Sequence, residues 1–207
     1  MLFRSGILAP AKTPDAVAHK LHREVAKIME DPEGNVSLVL KYATLELDLE
    51  NMSLEQIQAD LAQLDSLGLP AKELNQIEEI LFQSLIGKDP KLAMAWLREQ
   101  IANGKFDSKS LSGENPRLTE FYWRVMPALM RNDPAATPAY IAEISPEYRK
   151  SVLMNMHERS ETDEQRKMIL NLSREFLKED ESGHVVASQS TELVGSGGYE
   201  KVSEYMK

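Results

Sequence analysis

Proline placement constrains the fold of this chain more than any other sequence feature. Seven of the ten prolines directly follow a short polar residue that can cap a helix, and six of these pairs are interpreted as caps. A polar side chain at the N-cap accepts a hydrogen bond from a free backbone N–H, and proline at the next position loses no intrahelical bond. The six pairs are Thr13-Pro14, Asp31-Pro32, Asp89-Pro90, Asn115-Pro116, Asp133-Pro134 and Ser145-Pro146. This repeated signature predicts a chain built from helices.

Other local signals agree with this pattern. The segment from Ser53 to Gln56 has the Ser-x-x-Gln spacing of a capping box, and glycines that favour helix ends follow the apolar segments at positions 34, 68, 87 and 104. Between these marks, apolar residues recur at the spacing of one helix face. Pro127 interrupts the richest such stripe, so a kink or a break into two helices is expected there. The predicted helices cover residues 14–30, 53–67, 72–86, 90–103, 116–131, 134–144, 146–158, 161–179 and 199–206.

The fold class follows from these helices. Only residues 45–49 alternate with period two, and they could be a strand or the end of a helix that starts near Val36. The sequence therefore predicts an all-α protein with little or no strand, in a single all-helical domain over residues 1–207. Glycine and small polar residues make 104–114 and 182–198 possible flexible segments.

A degenerate repeat suggests how the helices pack. The Asp89-Pro90 pair and the Asp133-Pro134 pair each follow a helix that ends in apolar residues, and an aromatic residue lies six positions past each proline. The two pairs lie 44 residues apart, and a period of this length is typical of two-helix repeats. Such repeats stack because one hairpin cannot bury its own apolar face. The phrase Asp-Pro-x-x-Ala-x-Ala-Trp at residues 89–96 resembles helix openings in bacterial α-solenoid proteins related to tetratricopeptide and HEAT arrays. Over residues 29–160 this resemblance implies stacked antiparallel hairpins and a binding role, and it transfers no catalytic residue.

A second resemblance covers residues 6–33 only. The run Gly-Ile-Leu-Ala-Pro-Ala-Lys-Thr-Pro at residues 6–14, with Leu21, Glu24 and Asp31-Pro32-Glu33, looks like a late segment of tripartite tricarboxylate transporter substrate-binding proteins. That family has a two-lobed α/β fold and binds small carboxylates, whereas the segment here is followed by helices of a different pattern. The resemblance implies a small-ligand-binding protein as the alternative function.

Charge and composition exclude several classes of function. The net charge is −9, and residues 31–104 contain 13 acidic and 5 basic side chains, most simply a solvated face. No segment has the dense basic stripe that phosphate contacts require, so nucleic-acid binding is not predicted. No apolar run reaches the ~18 residues of a membrane span, and the N-terminus does not read as a secretory signal. Because no secretory signal is evident, a cytoplasmic protein is expected, and the lack of cysteine suits a reducing compartment.

Catalytic and metal chemistry find no support in the sequence. His19 and His22 share a helix face with Asp15, but a zinc site needs a fourth ligand and no His-Glu-x-x-His pattern is present. His157 is interpreted as a cation at a helix C-terminus. Glu78-Glu79 is interpreted as a solvated carboxylate pair. Residues 195–198 are interpreted as a flexible hinge rather than a phosphate-binding loop. We therefore predict no enzyme, no metal and no cofactor.

The aromatic residues are the most informative side chains for function. Trp96, Phe121, Tyr122 and Tyr140 lie at core spacing, whereas Trp123 lies beside the apolar stripe with Arg124 next to it. Trp and Arg are enriched at the energetic centres of protein interfaces. The sequence therefore predicts a non-catalytic protein–protein interaction module or scaffold with an unknown partner and oligomeric state, and Trp123 and Arg124 as its candidate partner-binding residues.

Overall fold

The computed structural model describes residues 52–68, 70–107, 114–183, 185–187 and 190. The chain divides into two compact units, Met1–Lys88 and Asp89–Lys207, and the expectation of a single domain stays a prediction. The helices at 14–30 and 199–206 and the alternating stretch at 45–49 lie outside the described residues. Every regular element within the described ranges is helical, and no strand occurs there. The all-α fold class is confirmed.

The first unit contains a helical hairpin. Helix α1 covers Leu54–Gln63, continues as a 3-10 turn at Leu64–Leu67, and packs against α2, Ala71–Lys88. The predicted capping box opens α1, since the Ser53 Oγ accepts from the Gln56 N–H and the Gln56 side chain accepts from the Ser53 N–H. Gly68 reverses the chain with a φ of 62°. The apolar residues buried in this hairpin include Ile57, Leu61, Leu64, Leu81, Phe82, Leu85 and Ile86.

Gly87 does not end a helix, contrary to the prediction. Helix α2 continues through it to Lys88. The helix stops before Pro90 instead, where Asp89 is extended at φ −152° and ψ 97°. Proline disfavours the α conformation in the residue that precedes it, because the ring crowds that residue's backbone. The proline, and not the glycine, therefore sets this boundary.

Five helices of the second unit lie wholly within the described residues. They are α3 at Pro90–Ala102, α4 at Pro116–Asn132, α5 at Thr137–Glu143, α6 at Pro146–Glu158 and α7 at Asp163–Phe176. Asp89 and Asn115 cap α3 and α4 as predicted, each accepting two backbone N–H groups of the first turn. Thr162 opens α7 with a capping box to Gln165, which is not among the predicted caps.

Two of the predicted caps do not form. The Asp133 Oδ1 accepts from the Ala136 N–H at 3.2 Å, so it closes the turn at 134–136, and α5 begins only at Thr137. Ser145 is the N-cap residue of α6 but makes no side-chain cap bond. The dipeptide signature thus marks a helix start at Ser145 and a turn before α5 at Asp133. In neither case does it guarantee the capping hydrogen bond, which depends on the side-chain rotamer and the local backbone.

Gly104 ends α3 in the way that the sequence predicts. Its φ is 76°, the Gly104 N–H bonds the Ile101 carbonyl, and the Lys105 N–H bonds the Gln100 carbonyl. These two bonds form a Schellman motif, which satisfies carbonyls that the helix end leaves free. A left-handed residue with a side chain would be strained here, whereas glycine is not.

Opposite effects are expected from alanine at two glycines. Gly104→Ala should cost about 1–2 kcal/mol, because alanine resists positive φ and its Cβ would lie 3.0 Å from the Asp107 Oδ2. Gly87→Ala is the matched control, since Gly87 is exposed inside α2 and a Cβ there meets nothing within 4 Å. It should stabilise the first unit by about 0.5–1 kcal/mol. Urea unfolding followed by circular dichroism measures both, and equal signs would contradict the conformational assignment.

Side-chain contacts give the direction of the packed helices. Lys91, at the start of α3, lies 2.6 Å from Asp133, just past the end of α4, so these helices run antiparallel. The guanidinium of Arg149, near the start of α6, stands 5.4 Å from the ring centroid of Phe176 at the end of α7. Helices α6 and α7 therefore run antiparallel as well.

Helices α4 and α6 run in the same direction. The rings of Tyr122 and Tyr148 lie 6.0 Å apart near the start of both helices, and Arg131 pairs with Glu161 at 3.6 Å near the end of both. Helix α5 contacts both α4 and α7. The fully buried apolar side chains at these contacts include Met94, Leu97, Val125, Met126, Leu129, Met130, Ile141, Val152, Leu153, Met156 and Ile169.

Pro127 does not break its helix. Helix α4 is continuous from Pro116 to Asn132, so the predicted split into two short helices is wrong. Pro127 cannot donate to the carbonyl of Trp123, four residues earlier. Both flanking turns are held by buried residues, Tyr122 and Val125 before it and Leu129 after it, so tertiary packing outweighs the loss of one backbone hydrogen bond.

The two segments expected to be flexible are partly described. Residues 103–106 form a turn, and residues 108–113 lie outside the described part. Phe106 in that turn is buried, which a polar loop does not predict. Residues 182–183 and 185–187 are helical, and Val185 is buried, so the second segment begins inside an ordered helix rather than in a loose connection.

Candidate interaction surface

Helix α4 buries most of its circumference. Nine of its 17 residues are buried, and three exposed residues with half-buried Arg124 lie in a strip along one side. We call this strip the α4 ridge and define it by Glu120, Trp123, Arg124 and Arg131. Trp123 is 37% exposed, and no other large hydrophobic side chain in the described ranges is exposed. An exposed tryptophan on a nearly enclosed helix is the most unusual surface feature of this unit.

One edge of the Trp123 ring is fixed. Its Nε1–H donates to the backbone carbonyl of Ser151 in α6 at 3.2 Å. This bond satisfies the only polar group of the indole. The ring is therefore held between α4 and α6 with part of its apolar surface in solvent. Arg124, the other predicted site residue, is half-buried beside it.

The remaining aromatic residues behave largely as predicted. Trp96, Phe121 and Tyr122 are buried, and Tyr140 is half-buried with the Arg98 guanidinium 5.2 Å from its ring centroid. The ring centroid of Phe121 lies 5.8 Å from that of Trp96 and 5.4 Å from that of Phe106. Phe106 carries no periodic signal, and a single aromatic residue just after the Gly104 turn is the only sequence sign of its role.

Three titratable groups near α4 have shifted pKa values. Burial, followed by the nearby Tyr148 and glutamates, raises the pKa of Tyr122 to about 12, so the phenol is neutral at ordinary pH. The Lys91 ammonium lowers the pKa of Asp133, and Asp133 in turn raises the pKa of Lys91. The last two shifts favour the charged form of each partner and so support the surface ion pair between them.

Other candidate groups are placed as follows. Glu78 is fully buried, so its assignment to a solvated face is wrong, whereas His157 lies in the last turn of α6 as predicted and is buried there. Burial raises the pKa of Asp60 in α1. Within the described residues, no three His, Asp or Glu side chains gather as a metal site would require. The candidates Asp15, His19, His22 and residues 195–198 lie outside the described part.

Comparison of the chain with known proteins assigns it to no family. No family model, curated protein or solved structure matches the chain. Nowhere in the described ranges does a helix combine the length and hydropathy that crossing a bilayer requires.

Proposed function

We propose that this chain is a non-catalytic protein–protein interaction module built from stacked helical hairpins, and that Trp123 and Arg124 belong to its binding surface. The observation that carries the proposal is the position of Trp123. Its indole N–H is bonded to Ser151 while 37% of the side chain remains exposed. A tryptophan whose polar group is satisfied and whose rotamer is held loses little entropy when a partner covers it. Such residues dominate binding energy at interfaces.

The contacts of α3 with residues 133–143 support the stacked-hairpin part of the proposal. Lys91 pairs with Asp133, and Arg98 stacks on Tyr140, so both contacts join residues 42 positions apart. Arg98 also pairs with Glu143 at 2.5 Å. Equal spacing at both contacts means that residues 91–98 and 133–140 run side by side in the same direction, as equivalent segments do in consecutive hairpins. Helices α4 and α6 also pack in parallel, as equivalent helices of consecutive hairpins do.

The second repeat copy departs from the first. Asp89 caps a helix and Trp96 is buried, whereas Asp133 caps a turn and Tyr140 is half-buried. Helix α5 has only seven residues. Divergence of this kind fits the degenerate resemblance to tetratricopeptide and HEAT arrays. The alternative, a small-carboxylate-binding protein, depends on residues 6–33, which lie outside the described part, and no described feature favours it.

Trp123→Ala should separate binding from stability. We expect a stability loss of about 1–2 kcal/mol, below the ~3–5 kcal/mol of a buried aromatic, because part of the ring is already in water. Partner affinity should fall by about 2 kcal/mol, or roughly 30-fold. The measurements are chemical unfolding of the purified chain and quantitative co-purification of the tagged full-length chain from its native host.

The matched control is Glu99→Ala, an exposed position on α3 away from the α4 ridge. It should change neither stability nor co-purification. If Trp123→Ala costs as much stability as a buried aromatic and every co-purifying protein is retained, the ring is a core residue and the proposal fails.

A further inference from the structure

The charges on the α4 ridge have opposite signs on the two sides of Trp123. Glu120 lies three residues before the tryptophan, and Arg131 lies eight residues after it. The two charged residues are 11 positions apart, which is close to three helical turns, so they lie on the same face about 16 Å apart along the axis. Both are exposed, and Arg124 adds a second cation on the Arg131 side of the tryptophan. The ridge therefore has an acidic end, an aromatic centre and a basic end.

A surface with this order of charges is complementary to itself. A two-fold axis perpendicular to α4 reverses the helix direction, so the acidic end of one copy meets the basic end of the other. An axis midway between Glu120 and Arg131 brings each Glu120 opposite the Arg131 of the second copy. The two Trp123 side chains then start about 7–8 Å apart along the helix, within reach of an offset stack.

We propose that the α4 ridge pairs with a second copy of this chain in an isologous contact, with Trp123 rings at the centre and two Glu120–Arg131 ion pairs at the ends. This inference rests on the proposed function and identifies its partner. The symmetry uses each residue of the ridge twice, so one exposed tryptophan supplies both halves of the apolar centre. In a head-to-tail contact between two copies, a charged end of one ridge would instead lie against the Trp123 of the other.

The present partner of Arg131 does not block this contact. Arg131 lies 3.6 Å from Glu161, and the two side chains are 43% and 69% exposed. Exposed ion pairs of this kind contribute little to stability. Arg131 can therefore exchange Glu161 for the Glu120 of the second copy with a small loss of free energy. On the flank formed by α6, Glu147 and Glu158 are exposed at opposite ends and Lys150 lies between them. Because both ends of that flank are acidic, its charges favour neither direction of pairing. The charges on α4 therefore set the direction.

The contact is small, and its expected strength follows from its size. Stable interfaces bury about 800 Å² on each partner, and one ridge of a 17-residue helix offers less. We therefore expect a dissociation constant that is micromolar or weaker, and a population of dimer that rises with protein concentration. Because the ion pairs are at the rim, added salt should weaken the association.

A charge-exchange experiment tests the geometry directly. Glu120→Arg makes both ends of the ridge basic, and Arg131→Glu makes both ends acidic. By sedimentation equilibrium of the full chain, the wild type should dimerise, and each variant alone should dimerise at least about tenfold more weakly. An equimolar mixture should recover affinity to within about threefold of the wild type, because both contacts are then oppositely charged.

Two controls keep the result interpretable. Glu99→Arg, an equal change of charge on the exposed face of α3, should leave the dissociation constant unchanged. Circular dichroism and melting temperature should show that every variant is folded. Trp123→Ala should weaken dimerisation at least about tenfold.

Two outcomes overturn the inference: a wild type that stays monomeric at the highest concentration, and a mixture no stronger than its components. In either case the proposed function stands if Trp123→Ala still releases a co-purifying protein of different mass. Dimerisation that survives Trp123→Ala, together with unchanged co-purification, would remove both the inference and the proposed function.

Discussion

Replacing Phe121 by alanine is expected to destabilise the second unit by about 3–5 kcal/mol, the largest single effect that we predict. The ring is 1% exposed and lies between Trp96 and Phe106, with the Arg117 guanidinium 5.6 Å from its centroid. Alanine would leave a cavity that three separate segments border, namely α3, the turn after it and α4. Because these segments are held by other contacts, they can relax only partly into that cavity.

Chemical unfolding measures this effect unit by unit. Both tryptophans of the chain, Trp96 and Trp123, belong to the second unit, so tryptophan fluorescence reports its unfolding selectively. The matched control is Phe176→Ala, which also removes a ring beside a guanidinium but at a half-buried position. It should cost about 1–2 kcal/mol, since less apolar surface is lost. A Phe121→Ala effect no larger than that of Phe176→Ala would contradict the central place of this ring.

Asn115→Ala should cost about 2–3 kcal/mol, more than an ordinary N-cap. The Asn115 Oδ1 accepts from the Arg117 and Leu118 N–H groups at 3.0 and 3.4 Å, and its Nδ2 donates to the Phe106 carbonyl at 3.0 Å. The first pair of bonds caps α4, which is worth about 0.5–2 kcal/mol. The third holds the turn that carries Phe106 and adds about 0.5–1.5 kcal/mol.

Ser145→Ala is the control for this prediction because Ser145 also precedes a proline at a helix start. It makes no side-chain cap bond and is exposed, so the change should stay within about 0.5 kcal/mol. Asn115→Asp keeps the cap acceptor and loses the Nδ2 donor, and an intermediate cost is expected. Urea unfolding followed by fluorescence measures all three variants. Equal costs for Asn115→Ala and Ser145→Ala would mean that the dipeptide signature, and not the observed bonds, determines stability.

These two residues also show what the sequence can predict. The proline pairs place helix starts well, since a proline at the first turn and a capping residue before it restrict the backbone locally. Whether the side chain then bonds to the helix depends on its surroundings, as Asn115, Asp133 and Ser145 demonstrate. Continuation through Gly87 and Pro127 was likewise decided by packing and by the next proline, which lie beyond local propensity.

The candidate surface was predictable in part. Periodicity places Trp123 beside the apolar stripe, and the side chain is exposed. Its bond to Ser151 could not be foreseen, because the acceptor is a backbone carbonyl in a helix 28 residues away. The burial of Glu78 and Phe106 also escaped prediction, since one is a charged residue on a helix and the other lies in a turn without periodicity. Such placements depend on tertiary contacts, which spacing within one segment does not encode.

The short sequence separation of the contacts in the second unit has a consequence for how fast this unit folds. The most distant side-chain contact described in it, between Arg98 and Glu143, joins residues only 45 positions apart. Closing short loops costs little chain entropy, so such contacts can form before the whole polypeptide has collapsed. Helical domains dominated by contacts of this range fold in microseconds to milliseconds, much faster than sheets with remote pairings. The second unit is therefore expected to fold on this fast timescale, which shortens the time for which its methionine-rich interior is exposed.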